Sequence, residues 1–85
     1  MTVRIIEDER GPPRIIRVEG RLTGREVSEL EGALGNDLGQ VELRLGNLRS
    51  ADAAGIAALR RLRAAGVILR ETPASLDFEI ANEDR

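Results

Sequence analysis

Few residues in this chain could do chemistry, and nearly all of them are carboxylates and arginines. The most telling is Asp52, set in Ser50-Ala51-Asp52-Ala53-Ala54-Gly55-Ile56. A carboxylate at that point, just before an apolar stripe, accepts a backbone N–H two or three residues on and starts a helix. Thr23 and Glu26 form a second such pair, a capping box in which each side chain answers the other's backbone N–H. Beyond these local roles the inventory is bare. There is no histidine and no cysteine, and all 13 basic residues are arginine. His or Cys general bases and nucleophiles, His/Cys zinc sites, disulfides, Schiff-base lysines and the phosphate-loop lysine are all excluded. Carboxylate-only chemistry remains, yet the acidic residues lie among arginines without the spacing of a calcium loop. An enzyme is therefore the least supported class, and no cofactor or metal is expected.

Charge and composition narrow the partners. Fifteen acidic against 13 basic residues give a net charge of −2, which offers no basic face for nucleic acid. Phe78 is the single aromatic residue, so no platform exists for stacking bases. No apolar run approaches the roughly 20 residues needed to span a bilayer. Met1 to Glu7 reads as a strand rather than a signal peptide. These features predict a cytoplasmic protein with no direct membrane insertion. At 85 residues, the chain makes a single domain, 1–85. A core of that size supplies only about 3–5 kcal/mol net, so a protein partner or a homo-oligomer would help it.

The elements that must position Asp52 follow from periodicity. Val3 to Glu7 is a first strand, and Asp8 to Pro13 a polar turn that Gly11 and two prolines keep from continuing. Arg14 to Glu19 is a second strand, with Ile16 and Val18 on one face, forming a hairpin with the first. A helix follows from Gly24 to about Leu34, with Val27, Leu30 and Leu34 inward and Gly35 past its last turn. Gly32 weakens that helix by about 1 kcal/mol relative to Ala. Asn36 to Gln40 is a loop. Val41 to Leu45 alternates apolar and charged residues as a half-buried strand does. Gly46-Asn47-Leu48-Arg49 is a turn. Ile56, Leu59 and Leu62 mark a second helix from about Ala53 to Ala65, ended by Gly66. Arg60, Arg61 and Arg63 read as its solvated face, near the end where positive charge suits the dipole.

Val67 to Arg70 is a fourth strand. After Thr72-Pro73, the alternation of Leu76, Phe78 and Ile80 fits a strand, and the same residues fit a short helix from Ala74. Residues 81–85 read as a frayed tail. The order β-β-α-β-α-β implies parallel pairing with right-handed crossovers beside one antiparallel pair. The fold class is thus α/β, a small mixed sheet of four to five strands with helices packed mainly on one face.

Three stretches resemble the STAS domain family, the fold of bacterial anti-sigma factor antagonists and of the cytoplasmic tails of sulfate transporters. Val18 to Thr23 is similar to that family's second strand and its exit into the first helix. Val41 to Leu48 is similar to its central strand and turn. Asp52-Ala53-Ala54-Gly55-Ile56 through Leu59 resembles its Asp-Ser-Ser-Gly-Leu signature. The likeness runs without a gap from Val41 to Leu59 and more loosely through Gly66, Val67 to Leu69 and Pro73.

The resemblance implies a non-catalytic, regulatory protein-interaction module of the anti-sigma factor antagonist kind. Its partner surface would be Leu48 to Ile56, carried by Arg49, Ser50, Asp52, Ala53, Ala54, Gly55 and Ile56, with Gly24 and Arg25 nearby. Gly55 would permit close approach of a partner or a neighbouring loop. In antagonists of this family a partner kinase phosphorylates the serine after the signature aspartate. Here that position is Ala53, followed by Ala54, so the switch is absent. The family's central-strand aspartate stands as Arg44. Ser50 is the hydroxyl left on the loop for phosphorylation, set against a local loop or capping role. The partner implied is an anti-sigma or kinase-like protein, bound constitutively. Two other functions stand beside this one. One is an accessory subunit of an ABC-type membrane transporter; the other is a nucleotide or small-anion binding domain using helix N-termini. A ferredoxin-like or ligand-sensing βαβ module is the alternative fold.

Overall fold

A computed structural model of the chain describes residues 3–11, 13–36 and 38–81. Two layers make up the fold: one mixed sheet and three helices over a single face of it. The strands are β1 (Val3–Glu9), β2 (Arg14–Leu22), β3 (Val41–Arg44), β4 (Leu48–Ala51) and β5 (Ile68–Arg70). The helices are α1 (Gly24–Leu34), α2 (Ala53–Ala64) and α3 (Ala74–Ala81), with a single 3₁₀ turn at Leu38–Gln40 inside the expected loop.

β1 and β2 pair antiparallel from Val3 opposite Gly20 to Glu9 opposite Ile15. β2 pairs parallel with β3, and β3 with β5, giving the order β1-β2-β3-β5. β4 continues the line of β3 along the far half of β2. Arg14 to Arg17 face Val41 to Arg44, whereas Gly20 faces Leu48 and Leu22 faces Ala51. The offset between partners grows from 27 to 29 residues across Leu45-Gly46-Asn47 and at Arg49, the extra residue opposite the step from Gly20 to Arg21. Residues 41–51 are thus one interrupted ribbon carrying two residues more than its neighbour. That excess kinks the ribbon and leads β4 into α2.

Alternation along the strands decides which face is buried. Val3, Ile16, Val18, Leu22, Val41, Leu43, Leu45 and Leu48 point to the helices and close a core with Leu30, Leu34, Ile56, Leu59, Leu62, Leu76 and Ile80. The other face is uncovered. It carries Ile6, Ile15 and Ile68 among Arg4, Arg17, Glu19, Glu42, Arg44 and Arg70, as the register requires. Glu42 is 8% exposed there, and its carboxylate accepts from Arg44 Nε at 3.2 Å and lies 3.8 Å from Arg70 Nε.

Several boundaries differ from the sequence reading, each for a local reason. The turn expected over 46–49 is confined to Gly46-Asn47, because Leu48 is buried and Leu48–Ala51 joins β2 as a strand. Val67 precedes β5 rather than opening it. Leu76 and Ile80, one helical turn apart, are both buried while Phe78 is 68% exposed, so the last segment is a helix and not a strand. Ala81 closes α3, and residues 82–85 of the expected tail lie outside the described residues.

The three arginines of α2 are not one solvated face. Half-buried Arg60 donates from Nε to Ile80 O at 3.2 Å and from Nη2 to Glu79 O, capping α3. Arg61 pairs with Glu31 at 2.9 Å across α1 and α2, and Arg63 is exposed. Arg14 does for α1 what Arg60 does for α3. It donates to Leu34 O at 2.8 Å and Ala33 O at 3.0 Å while pairing with Glu7 at 2.9 Å. α1 has no basic residue in its own last turn, so the cation that its carbonyls favour comes from β2.

Candidate functional site

The strands β2 and β4 run side by side and end together, and each delivers its helix from the same edge of the sheet. Thr23 links β2 to α1, and Asp52 links β4 to α2. The two helix N-termini therefore meet. Orphan N–H groups at such ends need acceptors, and one side chain serves both. Asp52 Oδ1 accepts from Gly55 N at 2.8 Å, the cap expected of it. Its Oδ2 accepts from Gly24 N at 3.1 Å, in the first turn of the other helix. The hydrogen bonds from Gly55 and then Gly24 hold the Asp52 carboxyl below the ordinary carboxylate range. A negative charge between two helix N-termini is also favoured by both dipoles. Asp52 is thus more than the cap of its own helix: it is the brace between α1 and α2.

Backbone contacts tighten the same joint. Asp52 N donates to Leu22 O at 3.1 Å. A Cβ on Gly55 would stand 2.3 Å from that same carbonyl oxygen. The close approach that Gly55 permits is therefore intramolecular, against the end of β2. A Cβ on Gly24 would stand 3.3 Å from Ala54 Cβ, so α1 and α2 touch through these two small residues. On the α1 side, Glu26 Oε1 accepts from Thr23 N at 3.3 Å and from the Thr23 hydroxyl at 2.8 Å. This is the Glu26 arm of the expected capping box.

The sequence-predicted site residues fall into three groups. Gly24, Arg25, Asp52, Ala53 and Ala54 are exposed and come together as one platform formed by the first turns of α1 and α2. Gly55 and Ile56 are buried; Ile56 belongs to the core and Gly55 to the joint, so neither presents a side chain to a partner. Arg49 and Ser50 lie in β4, not in a loop. Ser50 is half-buried opposite Arg21 in the sheet, and the capping role considered for it belongs to Asp52. Arg49 stands on the uncovered side of the sheet with Arg21, a residue the sequence reading passed over. Its signal was the outward phase of Arg17, Glu19 and Arg21, which runs unbroken along β2.

The platform is small: two alanine methyls, a glycine and one arginine beside an occupied carboxylate. Both Asp52 oxygens are engaged. The described residues hold no group of three or more acidic side chains able to bind a metal, and no helix among them is long and apolar enough to cross a membrane. What the platform can do is receive another surface. No family model matches the chain, and no curated protein matches it.

Proposed function

We propose that the chain is a non-catalytic protein-interaction module of STAS type, whose partner docks on the first turns of α1 and α2. The observation that carries this reading is the platform itself. Ala53 and Ala54 expose only methyl groups, Ala54 lies against Gly24, and Asp52 braces both helices. The alanine and glycine part of this surface has little side-chain rotamer entropy to lose when covered, and it lets a partner's backbone come close. The small-anion alternative is less well supported, because Asp52 and Glu26 already take N–H groups that a bound phosphate would need. In the regulated relatives that the motif resembles, phosphate arriving at the position of Ala53 adds a charge of about −2 at the docking surface. Alanine forbids that change, so binding here is constitutive and is set by the amounts of the two proteins. A partner of the anti-sigma or kinase-like class places this work in the cytoplasm.

The test is affinity capture from lysate with the wild type, Ala53→Glu and Ala64→Glu. Ala64 is exposed and lies about 16 Å along α2 from Ala53 at 1.5 Å rise per residue. A partner held by the wild type and by Ala64→Glu, and lost by Ala53→Glu, supports the platform. Equal capture by all three moves the interface elsewhere and sinks the reading. Recovery of a permease with its ATPase would assign the same surface to a transporter complex instead.

A further inference from the structure

The uncovered face of the sheet carries charge of a different sign from the molecule as a whole. The net charge of the chain is −2, yet Arg4, Arg17, Arg44 and Arg70 stand on this face against Asp8, Glu19 and Glu42. Three acidic groups there are paired, and a fourth, Glu71, sets its Oε1 beside Gly46 at the cleft wall. Asp8 is taken by Arg17 at 2.8 Å, Glu19 by Arg17 at 2.7 Å, and Glu42 is shared by Arg44 and Arg70. Arg4 reaches Glu19 only at 3.8 Å. Arg21 and Arg49 have no ion pair among the described residues.

These three under-committed arginines gather where the ribbon 41–51 is interrupted. The extra residues at Leu45-Gly46-Asn47 open a shallow cleft of about 430 Å³, lined by Arg4, Glu19, Asn47 and Arg49 among others. A second depression of about 420 Å³ adjoins it through Gly20 and Arg49 and adds Arg21 and Ser50. The pair forms a continuous trough across β1, β2 and β4 with cations along it and one neutralised carboxylate.

The geometry points to this trough as the docking site for a carboxylate-rich, extended segment of a partner protein. Charge complementarity is the argument. Guanidinium groups bind carboxylates bidentately, and Arg4, Arg21 and Arg49, only loosely paired or unpaired along the trough, favour an acidic segment there. The trough is open rather than enclosed, which suits a peptide more than a compact ligand. This goes beyond the platform reading, because the trough lies on the sheet face and not on the helix N-termini.

The probe is a fluorescein-labelled hexaglutamate peptide, titrated by anisotropy at low and at moderate salt. Arginine Nε–Hε signals are followed by NMR in the same titration. Expected are salt-weakened binding, shifts at Arg21 and Arg49, and a loss of about tenfold or more in the double variant Arg21→Gln/Arg49→Gln. Neither substitution touches the core, and an unchanged melting temperature verifies the fold. Ala53→Glu should bind the peptide within about twofold of wild type, so a failed platform and a failed trough are told apart. Any of these results overturns the assignment: no binding at millimolar peptide, equal binding by inorganic phosphate, no effect of the double variant, or shifts confined to other arginines. Self-association weakened by Arg49→Gln without peptide binding would give the face to a second copy of the chain, and also overturns it.

Discussion

Replacing Gly55 by alanine tests the joint between β4, α2 and β2 with one methyl group. By helix propensity alone the change is favourable, since an interior glycine costs about 1 kcal/mol against alanine. The structure predicts the opposite. The new Cβ would lie 2.3 Å from Leu22 O and 3.2 Å from Ala51 Cβ. The first atom is backbone, held by Asp52 N at 3.1 Å, so no side chain can swing away to make room. The helix must retreat by roughly an ångström. Overpacking of this kind costs about 1–3 kcal/mol, and weakening the Asp52–Leu22 hydrogen bond adds about 1. With the propensity gain subtracted, the net loss is about 2 kcal/mol, a fall in Tm of about 8–16 °C for a domain of this size. Gly32→Ala is the matched control. Gly32 is an exposed residue of α1 with nothing within 4 Å of a new Cβ, so that variant should gain up to about 1 kcal/mol. Thermal unfolding followed by far-ultraviolet circular dichroism reads both. Opposite signs are the prediction; a Gly55→Ala protein as stable as wild type would refute the close approach to Leu22.

Further outcomes follow from the caps and the surface. Asp52 is held below its ordinary value, so its contribution is present above about pH 4 and is lost as pH falls through the folded-state value; Asp52→Ala should lower Tm at pH 7 and flatten the acid limb of a Tm–pH series. Arg14→Met removes the cation from the α1 carbonyls of Ala33 and Leu34 and should cost about 1–2 kcal/mol in urea unfolding. Arg60→Ala should speed amide exchange in α3 more than in α1, because its guanidinium holds Glu79 O and Ile80 O. Phe78→Ser, at a side chain 68% exposed, should change stability by less than about 0.5 kcal/mol.

Where sequence patterns matched the fold, one period was unmistakable. Ile56, Leu59 and Leu62 are all buried on α2, and Leu30 and Leu34 on α1. Asp52 and the Thr23–Glu26 pair marked both helix starts because capping is local. Where the reading failed, the cause was either shortness or distance. Leu76, Phe78 and Ile80 satisfy a period of two and, without Phe78, a period of four, and only the neighbouring α2 decides between them. β4 was hidden because two extra residues shift the phase of its ribbon against β2. The second hydrogen bond of Asp52, to Gly24 28 residues earlier, and the α3 cap by Arg60 depend on tertiary neighbours that no local pattern names. The site was accordingly half legible: Asp52 as a helix start was written in the sequence, and its role as a brace between two helices was not. Arg49, read as part of a turn, lies in β4 and on the uncovered side of the sheet, away from the first turns of α1 and α2.

In the proposed reading, partners meet the first turns of α1 and α2. Hydrogen exchange on the protein alone, and again with the protein captured from lysate, tests it most directly. Docking there gives new protection at residues 24–25 and 53–54, with α3 unchanged. Protection confined to α3 or to the β5 edge, with 24–25 and 53–54 exchanging as in the free protein, would contradict it.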